Sequence, residues 1–340
     1  MDAVPFQLLG QSSAARDLAV AIRAERLHHA LLFAGPEGVG KFQAALQVAT
    51  RLMCKKAKDA SACGTCANCK RARASALSDV YVLDPDGDSI KVDDVREATR
   101  MLHIAPLEGP HKVLVVRDAE RMNPSAQNAL LKTLEEPPGR ARIILTSSVP
   151  DALLVTVLSR CHRIAFRPVP VDEIARLVME RQGLDEGSAR LLASLSKGSI
   201  GRALATDVEA LRAQRDRARD LDAELSPGGT GGIARALSAA ETFPAEDLGE
   251  FLDILGVWLR DQVLLALGGD SADVANSDRL DELSDLAKHR SLTEVLRRAR
   301  ALDLTRHEST SPYNPNRRVV VEQLCLALAG EVYLPSTADR

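Results

Sequence analysis

Apolar positions follow two different patterns along the chain. Up to about residue 167, short continuous runs alternate with helical stretches: Ala30-Leu31-Leu32-Phe33, Val80-Tyr81-Val82-Leu83, Val113-Leu114-Val115-Val116 and Ile143-Ile144-Leu145. Runs of this length and continuity predict strands of a parallel sheet buried on both faces. After Arg167-Pro168-Val169-Pro170 the strand signal stops and a helical period takes over, broken by the Gly/Pro-rich stretch Ser226-Pro227-Gly228-Gly229-Thr230-Gly231-Gly232. Leu248, Phe251, Leu252, Leu255 and Leu259 recur at spacings of three and four and predict a helix from Ala245 onward. Val320, Val321, Leu324 and Leu328 mark a last helix after Pro315. The pattern therefore predicts an α/β part followed by helical parts.

Composition narrows the function classes. The 340 residues allow two or three domains, and 45% apolar with 27% charged residues is an ordinary globular balance. Lys and Arg number 44 against 47 Asp and Glu, a formal charge of -3, so no global positive field holds nucleic acid and any such contact must be local or shared. Aromatics are 3% of the chain, too few for a stand-alone binder that stacks unpaired bases. Met1-Asp2-Ala3-Val4-Pro5 shows no secretory pattern, and the apolar stretch Phe251 to Leu267 is interrupted by Asp253, Arg260 and Asp261. A cytoplasmic protein without a membrane span is expected, with that stretch a buried helix.

Directly after the first apolar run stands Gly35-Pro36-Glu37-Gly38-Val39-Gly40-Lys41, the G-x-x-x-x-G-K spacing between a strand and a helix beginning near Phe42. Such a loop turns backbone N–H groups toward phosphate oxygens, the helix N-terminus adds partial positive charge and Lys41 adds a full one. Gly35, Gly38, Gly40 and Lys41 are thus candidates for binding ATP or ADP. Two residues depart from a working site. Phe42 stands where a Ser or Thr hydroxyl would hold Mg2+, and the strand Val113 to Val116 runs into Arg117-Asp118-Ala119-Glu120, whose first residue is basic. A guanidinium about 4 Å from the metal would repel it by roughly 4 kcal/mol per unit of metal charge at an effective dielectric of 20. Poor hydrolysis or none is expected, with phosphate binding still open.

Cys54, Cys63, Cys66 and Cys69 crowd into one segment, whereas Cys161 and Cys325 stand alone. Four thiolates in a C-x8-C-x2-C-x2-C array suit a closed, structural Zn2+ site, with Gly64 permitting the turn and Cys54 reaching in from the end of the preceding helix. Lys70, Arg71 and Arg73 beyond it read as a solvated basic face, with contact to DNA or a partner as the alternative. In Asn123 to Pro137, Asn123 caps, Pro124 suits the first helical position, Ala126, Ala129, Leu130, Thr133 and Leu134 form a buried stripe, and Pro137 stops the helix.

Several segments together resemble the delta-prime family of the bacterial DNA polymerase III clamp loader, within the AAA+ superfamily. They are His29-Ala30-Leu31-Leu32-Phe33 leading into the phosphate loop, Asn128-Ala129-Leu130-Leu131-Lys132-Thr133-Leu134-Glu135-Glu136-Pro137-Pro138, and Ser159-Arg160-Cys161. The likeness is close over the first 205 residues. Beyond them it rests on helical character and on the ending Asn314-Pro315-Asn316-Arg317. It implies an AAA+ nucleotide-binding domain over 1–167 with a zinc module at about 54–75, a helical lid over 168–207 and a helical collar over 208–340 through which subunits associate.

The resemblance also implies a role. In this family ATP sits between neighbouring subunits, and the arginine of the Ser-Arg-Cys motif, here Arg160, completes a neighbour's site. Phe42 and Arg117 fit a subunit that donates such a finger without hydrolysing ATP itself. The implied partners are the gamma/tau and delta subunits and, through the complex, the sliding clamp and primer-template DNA. Arg202, in Gly198-Ser199-Ile200-Gly201-Arg202-Ala203, falls at the second-sensor position, and Ser147 at the first. For Arg160 the alternative is a surface ion pair, for Arg202 a structural role and for Ser147 an ordinary strand-end hydroxyl; Cys161 reads as a small buried residue. For the chain as a whole the alternatives are an ATP-hydrolysing gamma/tau-type subunit and a zinc-dependent nucleic-acid-binding module.

Overall fold

The computed structural model describes residues 8–57, 59–226, 231–241, 243, 248–309 and 316–331. Met1–Pro5, Pro227–Thr230, Ala245, Asn314 and Pro315, named above, lie outside the described residues. The chain forms two compact units. One comprises the chain to Glu173 together with Gly198–Arg202; the other comprises Ile174–Lys197 and the chain from Ala203 onward.

The first unit is built on five parallel strands: β1 (Ala30–Ala34), β2 (Val80–Leu83), β3 (Lys112–Val116), β4 (Ala141–Ser147) and β5 (His162–Ala165), in the order β2-β3-β4-β1-β5. The four expected strands are present. Its helices are α1 (Ser12–Arg23), α2 (Lys41–Met53), α3 (Ala67–Arg73), α4 (Val92–Leu102), α5 (Pro124–Glu135) and α6 (Val155–Leu158). Successive strand residues point to opposite faces, and both faces are covered. Leu32, Leu114, Ile143 and Leu145 pack with Val95, Ala98, Leu130 and Leu134 of α4 and α5, whereas Leu31, Phe33, Val113 and Ile144 pack with Leu18, Ala45 and Val48 of α1 and α2. This double burial is why the strands read as unbroken apolar runs. Gly35 and its loop leave the carboxyl end of β1, between β4 and β5, where open α/β sheets hold their ligands.

α5 forms as its sequence dictates: the Asn123 side chain accepts the Ala126 N–H, Pro124 occupies the first turn, and Ala126, Leu130, Thr133 and Leu134 are buried. The predicted stripe is correct except that Gln127 is buried and Ala129 only half-buried. The Gln127 side chain explains its burial, since it donates to the Met122 carbonyl and accepts the Leu154 N–H.

All described regular structure beyond β5 is helical: α7 (Val171–Gln182), α8 (Glu186–Leu195), α9 (Ile200–Ala205), α10 (Val208–Glu224), α11 (Gly232–Glu241), α12 (Leu248–Ala266), α13 (Leu280–His289), α14 (Leu292–Ser309) and α15 (Arg317–Ala329), with short 3-10 turns. Phe251, Leu252, Leu255 and Leu259 of α12 are buried in the second unit as core, as is Trp258. A charged hub ties that unit together. The buried Asp222 carboxylate accepts from Arg290, Arg298, the Trp258 indole and Gln262, joining α10, α12 and α14. Burial pushes the Asp222 carboxyl upward, and the two guanidinium groups outweigh it and hold the group below its ordinary range. An unpaired charge left in such a place would cost about 3–5 kcal/mol. Among the described residues no helix is long and apolar enough to cross a membrane.

Candidate nucleotide site, metal centre and arginine cleft

The phosphate loop folds as the glycines require. Gly40 has φ +98 and begins α2, a left-handed conformation that a side chain would strain. Gly38 has φ +73, and a Cβ there would meet Ser199 Oγ at 1.9 Å; its carbonyl accepts the Gly201 N–H at 3.1 Å. The segment Ser199–Gly201 therefore lies against the loop, in the same compact unit. Arg202 follows it, with its backbone N–H donating to Ser199 Oγ. Lys41 is 6% exposed, and its ammonium donates to the Gly35 and Pro36 carbonyls at 2.7 and 2.6 Å. Burial pushes the Lys41 amine below its ordinary value, while the charges of Glu120, Asp118 and Glu37 act the other way.

Phe42 and Arg117 touch. The Arg117 guanidinium carbon lies 5.0 Å from the centroid of the Phe42 ring, a cation–π contact, and the same side chain reaches Asp84 and Asp118 at 3.8 Å. Where a hydroxyl would face Mg2+, this chain has an aromatic ring capped by a cation. Two carboxylates beside Lys41 were missed by reading only the first residue after the strand. Asp118 adopts φ +47, and its N–H donates to Thr146 Oγ1. Glu120 accepts from the Ser148 N–H and hydroxyl; burial raises its carboxyl, and these hydrogen bonds outweigh burial and hold it below the ordinary range. Ser147, the expected sensor position, is fully buried at the end of β4, and its carbonyl accepts the Gly35 N–H. The loop thus has the glycine turns and buried lysine that a phosphate cradle requires, while Phe42 offers no oxygen for a metal ion.

At the other end of α2 the four expected cysteines converge. The sulfurs of Cys54, Cys63, Cys66 and Cys69 all lie within 4.8 Å of one another, with Cys54–Cys66 and Cys63–Cys69 at 3.9 Å. A tetrahedron of Zn–S bonds of about 2.3 Å has edges of about 3.8 Å, so the cluster can hold a metal ion of this kind. Cys54 caps the C-terminus of α2, Gly64 turns with φ +71, and the Cys63 and Cys66 N–H groups donate to the sulfurs of Cys54 and Cys63. N–H donors from Thr65 and Cys66 bring the Cys63 thiol down to about 5, whereas burial lifts Cys69 to about 12. A bound cation would favour the thiolate of Cys69 against that burial. Asn68 fixes the knuckle to its surroundings by donating to the Met53 and Glu108 carbonyls. Of the basic residues nearby, Arg71 bonds Asn68 and pairs with Glu108 at 3.5 Å. Lys70 and Arg73 are exposed.

Arg160 stands apart from both sites, just past α6. It forms an ion pair with Glu135 at the end of α5, and it donates to the Thr156 carbonyl at 2.8 Å and to Ser159 Oγ at 3.3 Å. The surface ion pair weighed for it is thus present in this chain. Arg160 lines an open cleft of about 350 Å3 with His28, His29, Glu135, Ser159 and His162. Cys161 is half-buried rather than fully buried; it packs against the sheet core, and burial raises its thiol to about 12, which argues against a nucleophile.

Comparison with known proteins agrees with the sequence motifs. Residues 10–170 match the model described as DNA polymerase III, delta subunit, and residues 230–329 match that for the C terminal of the delta subunit. DNA polymerase III subunit tau of Escherichia coli is 30% identical over 357 residues, covering 96% of this chain and 54% of that protein. Subunit tau of Bacillus subtilis is 29% identical, covering 81% of this chain and 52% of that protein, and subunit delta' of the same organism is 35% identical, covering 52% and 53%. The chain spans about half the length of these curated relatives. The two matched models, the tau and delta' relatives and the phosphate loop at the end of β1 agree: the chain belongs to the DNA polymerase III clamp-loader family of AAA+ proteins.

Proposed function

We propose that this chain serves as a delta-prime-type subunit of the bacterial DNA polymerase III clamp loader, a non-hydrolysing member that lends Arg160 to the ATP site of a neighbouring subunit. The observation that carries the reading is the contact between Phe42 and Arg117, which replaces an oxygen ligand by a ring and sets a cation beside it. A chain so altered keeps the shape of a nucleotide switch and loses the means to anchor Mg2+. Its catalytic contribution then comes across a subunit boundary, where an arginine offsets the charge developing during phosphoryl transfer and is worth about 10³ to 10⁵ in rate. The partners on this reading are gamma/tau and delta subunits and, through them, the sliding clamp and primed DNA, in the cytoplasm.

The remaining sites take roles on the same reading. Residues 1–167 act as the AAA+ domain, 168–207 as its lid and 208–340 as the collar that joins subunits. Gly35, Gly38, Gly40 and Lys41 form a degenerate nucleotide site near Arg202, with ATP or ADP as an optional occupant. The four cysteines hold structural Zn2+, which orders a segment too short for a core of its own.

A second reading, an ATP-hydrolysing gamma/tau-type subunit, draws on Asp118 and Glu120 beside Lys41 and on the tau relatives. One set of assays separates the two. The purified chain should show no Mg2+-dependent ATP hydrolysis, and Arg160→Ala should fold and assemble normally while lowering the ATPase of the reconstituted complex at least a hundredfold. Robust turnover by the isolated chain would favour the second reading, and unchanged turnover in the complex would remove Arg160 from the role.

A further inference from the structure

The cleft around Arg160 holds one full cation and one full anion among its lining residues, Arg160 and Glu135, and these two are joined. The guanidinium contacts the Thr156 carbonyl and Ser159 hydroxyl behind it and the Glu135 carboxylate beside it, while its Nε is buried with no hydrogen-bond partner among the described residues. Glu135 is held at that spot by its helix end. It is the last residue of α5, Pro137 and Pro138 prevent the helix from continuing, and the His29 ring nitrogen Nε2 lies 2.8 Å from the carbonyl of the preceding Leu134. Of the three imidazoles lining the cleft, two have one ring nitrogen engaged inside the fold: His29 Nε2 by that carbonyl and His28 Nδ1, 2.7 Å from the Ala30 carbonyl.

A polyphosphate entering this cleft thus meets an arginine whose charge is already neutralised and a carboxylate that repels it. Before the guanidinium can serve a phosphate it must leave Glu135. The exchange is feasible because the pair is a weak one: the two side chains are 33% and 48% exposed, in the range where solvent leaves such contacts with little net strength. A triphosphate carries several negative charges and can accept both prongs of the guanidinium fork, so it outcompetes a single carboxylate.

We infer that Glu135 is a counter-ion latch: it stores Arg160 within this chain and yields it only to a triphosphate presented by a neighbouring subunit. The inference rests on the finger role proposed above and adds a residue that regulates it. Glu135 touches neither nucleotide nor reacting atoms. It acts through Arg160, and its effect on catalysis is a restraint.

The test is a double-mutant cycle in the reconstituted complex, reading ATPase kcat/KM for the wild type, E135Q, R160A and the double variant, with E136Q as a control for charge at the same helix end. The latch predicts that E135Q raises kcat/KM about two- to fivefold, the size of one exposed ion pair, that the gain is absent in the R160A background, and that it shrinks as salt is added. E136Q should match the wild type, and thermal melts of each chain should coincide; if E135Q melts early, E135A is put through the same cycle. A fall or no change in kcat/KM with E135Q, while R160A still cripples the complex, would overturn the latch and leave the finger standing. If R160A has no effect, the finger itself fails and the latch fails with it.

Discussion

The helix α2 carries a site at each end, and the two differ in completeness. At its N-terminus Lys41 and the phosphate loop keep the shape of a nucleotide site, with Phe42 and Arg117 stacked where a metal ligand belongs. At its C-terminus Cys54 joins three other sulfurs in a set with no member missing. On the proposed reading both sites would take a divalent cation, but by different means. The knuckle uses four like donors from one short segment and is closed to substrate; the loop needs donors gathered from α2 and from the strand ends, together with room for phosphate. Losing one donor from the nucleotide site leaves its backbone fold standing, whereas the knuckle rests on Asn68, the Arg71–Glu108 pair and a few N–H···S contacts that four metal bonds would reinforce.

The sharpest way to break this contrast is at the knuckle. Replacing Cys63 and Cys66 by serine should drop bound zinc, measured by atomic spectrometry, from one ion per chain to near none. It should also lower the unfolding midpoint by roughly 10 °C, equivalent to about 3 kcal/mol for a unit of this size. A variant that loses the ion and melts with the wild type would show that the thiols cluster without a structural metal.

How much of this contrast could be read from sequence follows from how far apart the parts lie. The knuckle was fully legible, because C-x8-C-x2-C-x2-C places its four donors within sixteen residues of one another and geometry leaves them one place to meet. β1, β3 and β4 were legible for a related reason, as burial on both faces writes a continuous apolar run, and β2 carries such a run although only its Leu83 is fully buried. β5 was not: only Ile164 of His162–Ala165 is buried, so this edge strand carries no run to detect. Phe42 and Arg117 were each visible as departures, yet their contact joins residues 75 positions apart and appears only in three dimensions. Likewise the packing of Gly201 on Gly38, and the choice of Glu135 as partner for Arg160, come from folding and have no local signature.

The second prediction repairs the incomplete end. Phe42→Thr combined with Arg117→Ala returns a hydroxyl and removes the cation, with Asp118 and Glu120 already in place. Calorimetric titration should then find ADP bound at least about tenfold more tightly with Mg2+ than by the wild type, a gain of about 1.4 kcal/mol. Phe42→Thr alone should gain less, since the guanidinium stays. Equal affinity in all three proteins would mean that the contact of Ser199–Gly201 with the loop, and not the lost ligand, controls occupancy.

The smallest effect concerns Lys41, the basic residue of the phosphate loop. Burial depresses its folded-state pKa below the unfolded value of 10.5, so between those two values the unfolded chain binds the extra proton and the folded chain does not. Stability therefore rises with pH across that window, and below it Lys41 carries a constant penalty for burying its charge, softened by the Gly35 and Pro36 carbonyls and by Glu120. Lys41→Met removes the penalty. Denaturant melts at neutral pH should find the variant at least as stable as the wild type, and the difference should narrow as pH approaches 10.5. A variant markedly less stable at neutral pH would mean that the ammonium holds the loop together through its two carbonyl contacts, which would make Lys41 a structural residue at the incomplete end of α2 just as Cys54 is at the complete one.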